Sequence, residues 1–123
     1  MQKPITPRVH GMIDYATVLA TAAAPTVLGF PAPAAALAYG MAGSYLGLSA
    51  VTDYPLSAKR MVPFRTHGIA EAASGLTLPA MPWALGFAKH RGARNFFLGL
   101  TGLTFAVAAL TDWQKRQTPL EDA

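Results

Sequence analysis

His10 and Asp14 stand four residues apart, and so do His67 and Glu71. On a helix that spacing puts both members of each pair on one face. Imidazole and carboxylate together are the donors of nitrogen- and oxygen-ligated metal sites. They are also the groups that relay protons inside membranes. Thr17 and Ser74 extend the two faces by a further turn, and Asp53 and Asp112 add two more carboxylates. If the carrying helices pair as hairpins, the start of one lies beside the end of the next. All six ionisable groups (His10, Asp14, Asp53, His67, Glu71 and Asp112) are then expected at one end of a bundle. A bound metal would use His10, Asp14, His67 and Glu71.

Carboxylate and histidine sets inside four-helix bundles form the di-iron pattern, which uses Glu-x-x-His. The spacing here is His-x-x-x-Asp or His-x-x-x-Glu, a loose match. Two related histidines could also ligate a haem axially, although nothing else in the sequence supports haem. A purely structural role competes with both. A histidine near one helix start can tie down a neighbouring helix end, and Asp14 and Glu71 sit early in their helices, where the dipole favours negative charge. His90 has no counterpart and reads as a solvated loop residue. No phosphate-cradling glycine loop, Gly-x-Ser-x-Gly or His-Glu-x-x-His is present, so no catalytic residue is assigned. The chain has no cysteine, which excludes disulfides and thiolate ligands.

The elements that must position these residues are apolar helices. Only 13% of the 123 residues are charged, against about 25% in an ordinary soluble domain. Residues 15–52, 72–88 and 95–111 carry no charge at all. A soluble bundle must show water a polar face on every helix, and these runs offer only scattered Thr and Ser. A membrane span needs about 17–25 mostly apolar residues. The first run is too long for one span and divides at Pro31-Ala32-Pro33. The expectation is an all-α integral membrane four-helix bundle in a single domain, with spans near 10–30, 33–52, 67–88 and 94–112. Pro25 and Pro82 are expected to kink the first and third spans. Trp83 and Trp113 suit aromatic belts at the two membrane faces.

The chain also repeats itself. Residues 10–30 read HGMIDYATVLATAAAPTVLGF and residues 67–87 read HGIAEAASGLTLPAMPWALGF. His10, Gly11, Pro25, Leu28, Gly29 and Phe30 recur as His67, Gly68, Pro82, Leu85, Gly86 and Phe87, and Asp14 becomes Glu71. Further on, Gly40, Gly43, Thr52 and Asp53 recur as Gly99, Gly102, Thr111 and Asp112, and Tyr54 becomes Trp113. Unrelated apolar segments share Ala and Leu by chance, but not His, Pro and Asp in one order. The pattern predicts two hairpin repeats, 10–54 and 67–113, entering the membrane from the same side. They would be related by a pseudo-twofold axis along the membrane normal.

The stretch Pro82-Trp83-Ala84-Leu85-Gly86-Phe87, followed by Arg94-Asn95 and a glycine-rich apolar helix, resembles the SPW-repeat family of bacterial membrane proteins. Met81 stands at the family's Ser position, and the first copy reads Ala24-Pro25-Thr26. The resemblance implies a two-helix membrane unit and a bacterial origin, and it implies no reaction.

Basic residues mark the sides. Lys3, Arg8, Lys59, Arg60, Arg65, Lys115 and Arg116 share one side in a four-span topology, while Lys89, Arg91 and Arg94 lie opposite. The positive-inside rule then places both termini in the cytoplasm of a bacterial inner membrane. The same placement accounts for the net charge of +4 without nucleic acid. Small-xxx-small spacing at Gly43–Gly47 and Gly102–Ala106 lets helices approach closely. Packing within the bundle is the expected use, with a homo-oligomer or a larger membrane complex as the alternative. Beyond the lipid bilayer, other membrane helices are the expected partners. The leading functional expectation is a non-enzymatic scaffold or accessory subunit without a cofactor. Two alternatives stay open: a metal- or haem-binding membrane protein, and a small proton, ion or solute transporter.

Overall fold

The computed structural model describes residues 3–114. Lys115 and Arg116, used above for sidedness, lie outside the described residues. The described chain is helical throughout, with α1 at Pro7–Leu28, α2 at Ala32–Val51, α3 at Phe64–Thr77, α4 at Met81–Ala84 and α5 at Arg91–Leu110. A short 3-10 turn, Leu78–Ala80, joins α3 to α4. Three of the helices, α1, α2 and α5, are long and apolar enough to cross a membrane. Their outer faces are hydrocarbon: Leu19 is 72% exposed and Val27 76%.

Local chemistry sets the ends. Thr6 caps α1 by accepting a hydrogen bond from Val9 N at 3.2 Å, and Pro7 occupies the first turn, where no donor is needed. At the far end Gly29 takes φ 63°, a left-handed conformation that costs a side chain energy, and Phe30 N returns to Pro25 O at 3.0 Å. The same closure recurs at Gly86, φ 77°, with Phe87 N donating to Pro82 O at 2.8 Å. His90 departs from expectation. It is the N-cap of α5, its Nδ1 accepting from Ala93 N at 3.0 Å.

The third expected span is a broken helical path rather than one kinked helix. A single proline, Pro25, is absorbed inside α1. Pro79 and Pro82 fall three residues apart, remove two donors and tighten the intervening turn into 3-10 geometry.

An apolar cluster and a pair of backbone bridges hold the helices together. At one end Ala34, Ala38, Leu78, Phe87, Ala93, Phe97 and Leu100 form a buried cluster. At the other end, short extended segments bridge the helices. Ile5, ahead of α1, pairs with Thr111 at the end of α5, with Ile5 N to Leu110 O at 3.1 Å and Asp112 N to Ile5 O at 2.8 Å. Val62, ahead of α3, pairs with Thr52 at the end of α2, with Val62 N to Val51 O at 2.7 Å and Asp53 N to Val62 O at 2.6 Å. These two bridges bring the first turns of α1 and α3 and the last turns of α2 and α5 to one place.

The glycine stripes face outward. A Cβ added at Gly40, Gly43, Gly47, Gly99 or Gly102 would meet nothing within 4 Å, and Ala106 is exposed. Gly43, Gly47, Gly102 and Ala106 therefore do not pack within the chain, contrary to the expected use. Close approach occurs instead at Gly11 and Gly68, where a Cβ would lie 3.2 Å from the Tyr54 ring and 2.6 Å from the Trp113 ring.

Candidate metal centre

His10, Asp14, His67 and Glu71 converge at the bridged end. Each offers one ligand atom, and these atoms all lie within 4.8 Å of one another. Both histidines are fully buried, Asp14 is 7% exposed and Glu71 5%. The i,i+4 spacing supplies half of the convergence. The two bridges, which tie the lead into α1 to the end of α5 and the lead into α3 to the end of α2, bring the two faces together.

Contacts cross between the helices as well as along them. His67 Nε2 lies 2.8 Å from Glu71 Oε1 and 2.9 Å from Asp14 Oδ2. His10 Nε2 lies 3.2 Å from Glu71 Oε2 and 3.4 Å from Asp14 Oδ2. A four-coordinate ion with ligand bonds near 2.0–2.2 Å sets its donor atoms about 3.3–3.5 Å apart. The His10 separations, 3.2 and 3.4 Å, lie close to that value, and the His67 separations, 2.8 and 2.9 Å, are shorter, at hydrogen-bond length.

The far side of each ring fixes its tautomer. Thr111 Oγ1 donates to Val107 O at 2.6 Å, so it can only accept from His10 Nδ1, 2.9 Å away. Thr52 Oγ1 donates to Leu48 O at 2.6 Å and likewise accepts from His67 Nδ1 at 2.7 Å. Both Nδ1 atoms therefore carry hydrogen, and both Nε2 atoms face the carboxylates. An outer hydrogen bond that orients the imidazole is the usual companion of a ligating histidine. His10 Nε2 is buried and makes no hydrogen bond of acceptable geometry, despite the carboxylate oxygens beside it.

Two neutral imidazole lone pairs and two carboxylates cannot share a dry space without positive charge among them. Two further protons, one on each Nε2, would balance the set. One divalent cation would balance it equally and would also satisfy His10 Nε2.

The site is roofed by rings. His10 packs edge-on against Phe64 and Trp113 at centroid distances of 5.2 and 5.0 Å, and Phe64 lies 4.7 Å from Trp113. Tyr54 covers His67 at 5.6 Å and donates its hydroxyl to Asp14 Oδ2 at 3.3 Å. Burial pushes the Tyr54 phenol above its usual range, so it remains a donor. Trp113 differs from the expected belt residue. Its indole N–H is bonded to Ala108 O at 2.9 Å and its ring covers the site, whereas Trp83 is 60% exposed.

The other two expected members do not join. The Asp53 side chain is 55% exposed and lies 3.8 Å from Arg60 Nε, and Asp112 Oδ1 accepts from Gln114 N at 3.2 Å. Helices α2 and α5 turn extended at Thr52 and Thr111, ψ 143° and 137°. Successive extended residues point to opposite sides. Thr52 and Thr111 face in, and the aspartates that follow face out. Sequence reasoning therefore chose the neighbours of the two residues that matter. The recurrence of Thr52 as Thr111 was the available signal.

The same geometry bears on haem. Carboxylate oxygens within 3.4 Å of both Nε2 atoms leave no slot between the imidazoles for a porphyrin plane. No protein-family model, curated protein or solved structure matches the chain.

Proposed function

We propose that this chain is a small multi-pass membrane protein that holds one divalent transition-metal ion at His10, Asp14, His67 and Glu71. The observation that carries the reading is the pair of Nε2 atoms turned toward two carboxylates by Thr52 and Thr111. Two nitrogen and two carboxylate donors converging on one buried point form the set a divalent cation would use, in place of the two protons that otherwise balance the carboxylates. Two imidazoles and two carboxylates suit the mid-to-late first-row divalent ions, with zinc or iron(II) the natural tests.

The proposal extends to architecture. Four crossings, with the 64–84 path as the third, form two hairpin repeats about a pseudo-twofold axis. The support is that contacts occur in matched pairs: Ile5 with Thr111 and Val62 with Thr52, His10 with Thr111 and His67 with Thr52, and the closures at Gly29 and Gly86. Kinship with the SPW-repeat family, a bacterial inner membrane and cytoplasmic termini rest on the sequence motifs and the basic residues. The outward Gly43–Gly47 and Gly102–Ala106 stripes suit a further membrane helix or a second copy.

The test is elemental analysis of detergent-purified protein after exposure to zinc or iron(II) and removal of loose metal. One ion per chain is expected, falling below about a tenth in His10→Ala and His67→Ala, since each removes one of the four protein ligands. A well-folded wild-type protein that retains no ion overturns the reading and returns the chain to the scaffold class.

A further inference from the structure

The four-residue cluster is closed toward one side and open toward the other. Rings of Phe64, Trp113 and Tyr54 cover it at the bridged end. On the opposite side, toward the middle of the helices, Asp14 and Glu71 form the floor of an internal cavity of about 40 Å³. Thr17, Thr21, Tyr45 and Thr104 contribute to its walls, which are otherwise hydrocarbon. One water-sized sphere takes about 10–15 Å³ on this scale and a benzene-sized guest about 150 Å³. The space therefore fits a molecule of two or three heavy atoms.

One wall of the cavity is shared with the outer face. Ile13, Thr17, Thr21, Leu100 and Leu103 line both it and a broad apolar groove between α1 and α5 on the outer face. Ala16, Ala20 and Gly99 keep that groove free of bulky side chains. In a bilayer this face meets acyl chains, so one layer of side chains stands between the cavity and the membrane interior.

The lining also restricts charge. Two carboxylates stand at the inner end. Thr17 and Thr104 donate their hydroxyl hydrogens to Ile13 O at 2.7 Å and Leu100 O at 2.8 Å and present only oxygen lone pairs to the space. The Thr21 and Tyr45 hydroxyls complete the polar lining, and an anion in this space faces the two carboxylates at its inner end. A small neutral molecule that dissolves in hydrocarbon meets no such barrier.

Resting on the metal reading above, with iron(II) as the ion, we propose that this cavity is its ligand pocket and takes a neutral diatomic molecule of the dioxygen or nitric oxide class, which enters from the bilayer across the side-chain wall shared with the α1–α5 groove. The diatomic would take a coordination position on the cavity side, between the Asp14 and Glu71 carboxylates. Binding forms one iron–diatomic bond, with electron density shared from iron(II) into the π* orbitals of the diatomic, and release returns both to their starting states with no net redox change.

The test uses protein loaded anaerobically with iron(II), its iron content measured first, and nitric oxide as the probe. A high-spin iron–nitrosyl EPR signal is expected from the wild type. Ala42→Leu and Val107→Leu each fill the cavity from a different helix. Both should keep their iron, with nitrosyl formation slowed about tenfold or more, a barrier increase of about 1.4 kcal/mol. Excess azide, an anion that reaches a metal only from water, should leave the iron spectrum unchanged. Iron in place with no nitrosyl overturns the pocket while leaving the metal site standing. So does an unchanged rate in both variants, or azide coordination as ready as that of nitric oxide. Failure to retain iron in the wild type overturns the metal reading, and the pocket proposal with it.

Discussion

At the scale of single residues, the hydroxyls of Thr52 and Thr111 decide what the histidines can do. Each threonine is committed as a donor to its own helix, and so each imidazole must carry its hydrogen on Nδ1. Thr52→Val and Thr111→Val keep shape but remove the acceptor. Metal affinity should fall about 10–100-fold in each, the usual cost of losing an orienting outer hydrogen bond; competition with a chromophoric chelator measures it. Metal binding here requires unprotonated Nε2 atoms and ionised carboxylates. Protonation competes with the ion, so affinity should fall as pH is lowered and proton release should accompany binding. Titration in two buffers of different ionisation enthalpy reads that release directly. The histidines and their i,i+4 carboxylates are legible in the sequence because they stand at matching places in two similar apolar stretches. Their tautomers are not, because a tautomer depends on which neighbour's hydroxyl is already engaged. Asp53 and Asp112 were read in for the same reason in reverse. Sequence spacing does not reveal that the helix becomes extended one residue earlier.

At the scale of elements, the glycines separate by environment and not by motif. Gly43 and Gly47 have the spacing of a packing motif yet face open space, whereas Gly11 and Gly68 have no such spacing and lie under aromatic rings. Gly68→Ala would set a Cβ 2.6 Å from Trp113 Cζ3. Such overpacking should destabilise the protein by about 1–3 kcal/mol and disturb the roof over His10. Gly43→Ala meets nothing, so an alanine in mid-helix should be neutral or stabilising by up to about 1 kcal/mol. Thermal unfolding of both variants in detergent checks the contrast, and equal effects would contradict it. The existence of the helices followed from uncharged runs longer than any soluble helix needs. The break in the third path did not follow as readily. Pro82 announced a kink, but the 3-10 turn arises from Pro79 and Pro82 acting together.

At the scale of the whole molecule, function follows from how the ends of four helical paths are strapped together. The Ile5–Thr111 and Val62–Thr52 bridges join segments far apart in sequence, and the cluster forms where they close. The proposed four-crossing topology makes a further prediction. Because the chain has no cysteine, Lys59→Cys and Lys89→Cys are clean single-thiol reporters. An impermeant thiol reagent applied to sealed, right-side-out membranes should label position 89 and leave position 59 unlabelled until the membrane is opened. Labelling of both without opening would contradict the topology.

The central claim is that two imidazoles and two carboxylates close on one ion. X-ray absorption at the edge of zinc bound to the purified protein tests it most directly. The account predicts a first shell of nitrogen and oxygen alone at about 2.0–2.2 Å, with outer-shell scattering from two imidazole rings that disappears in the His10→Ala, His67→Ala double variant. A shell of solvent-like oxygens without imidazole scattering, or a spectrum that the double variant leaves unchanged, would contradict it.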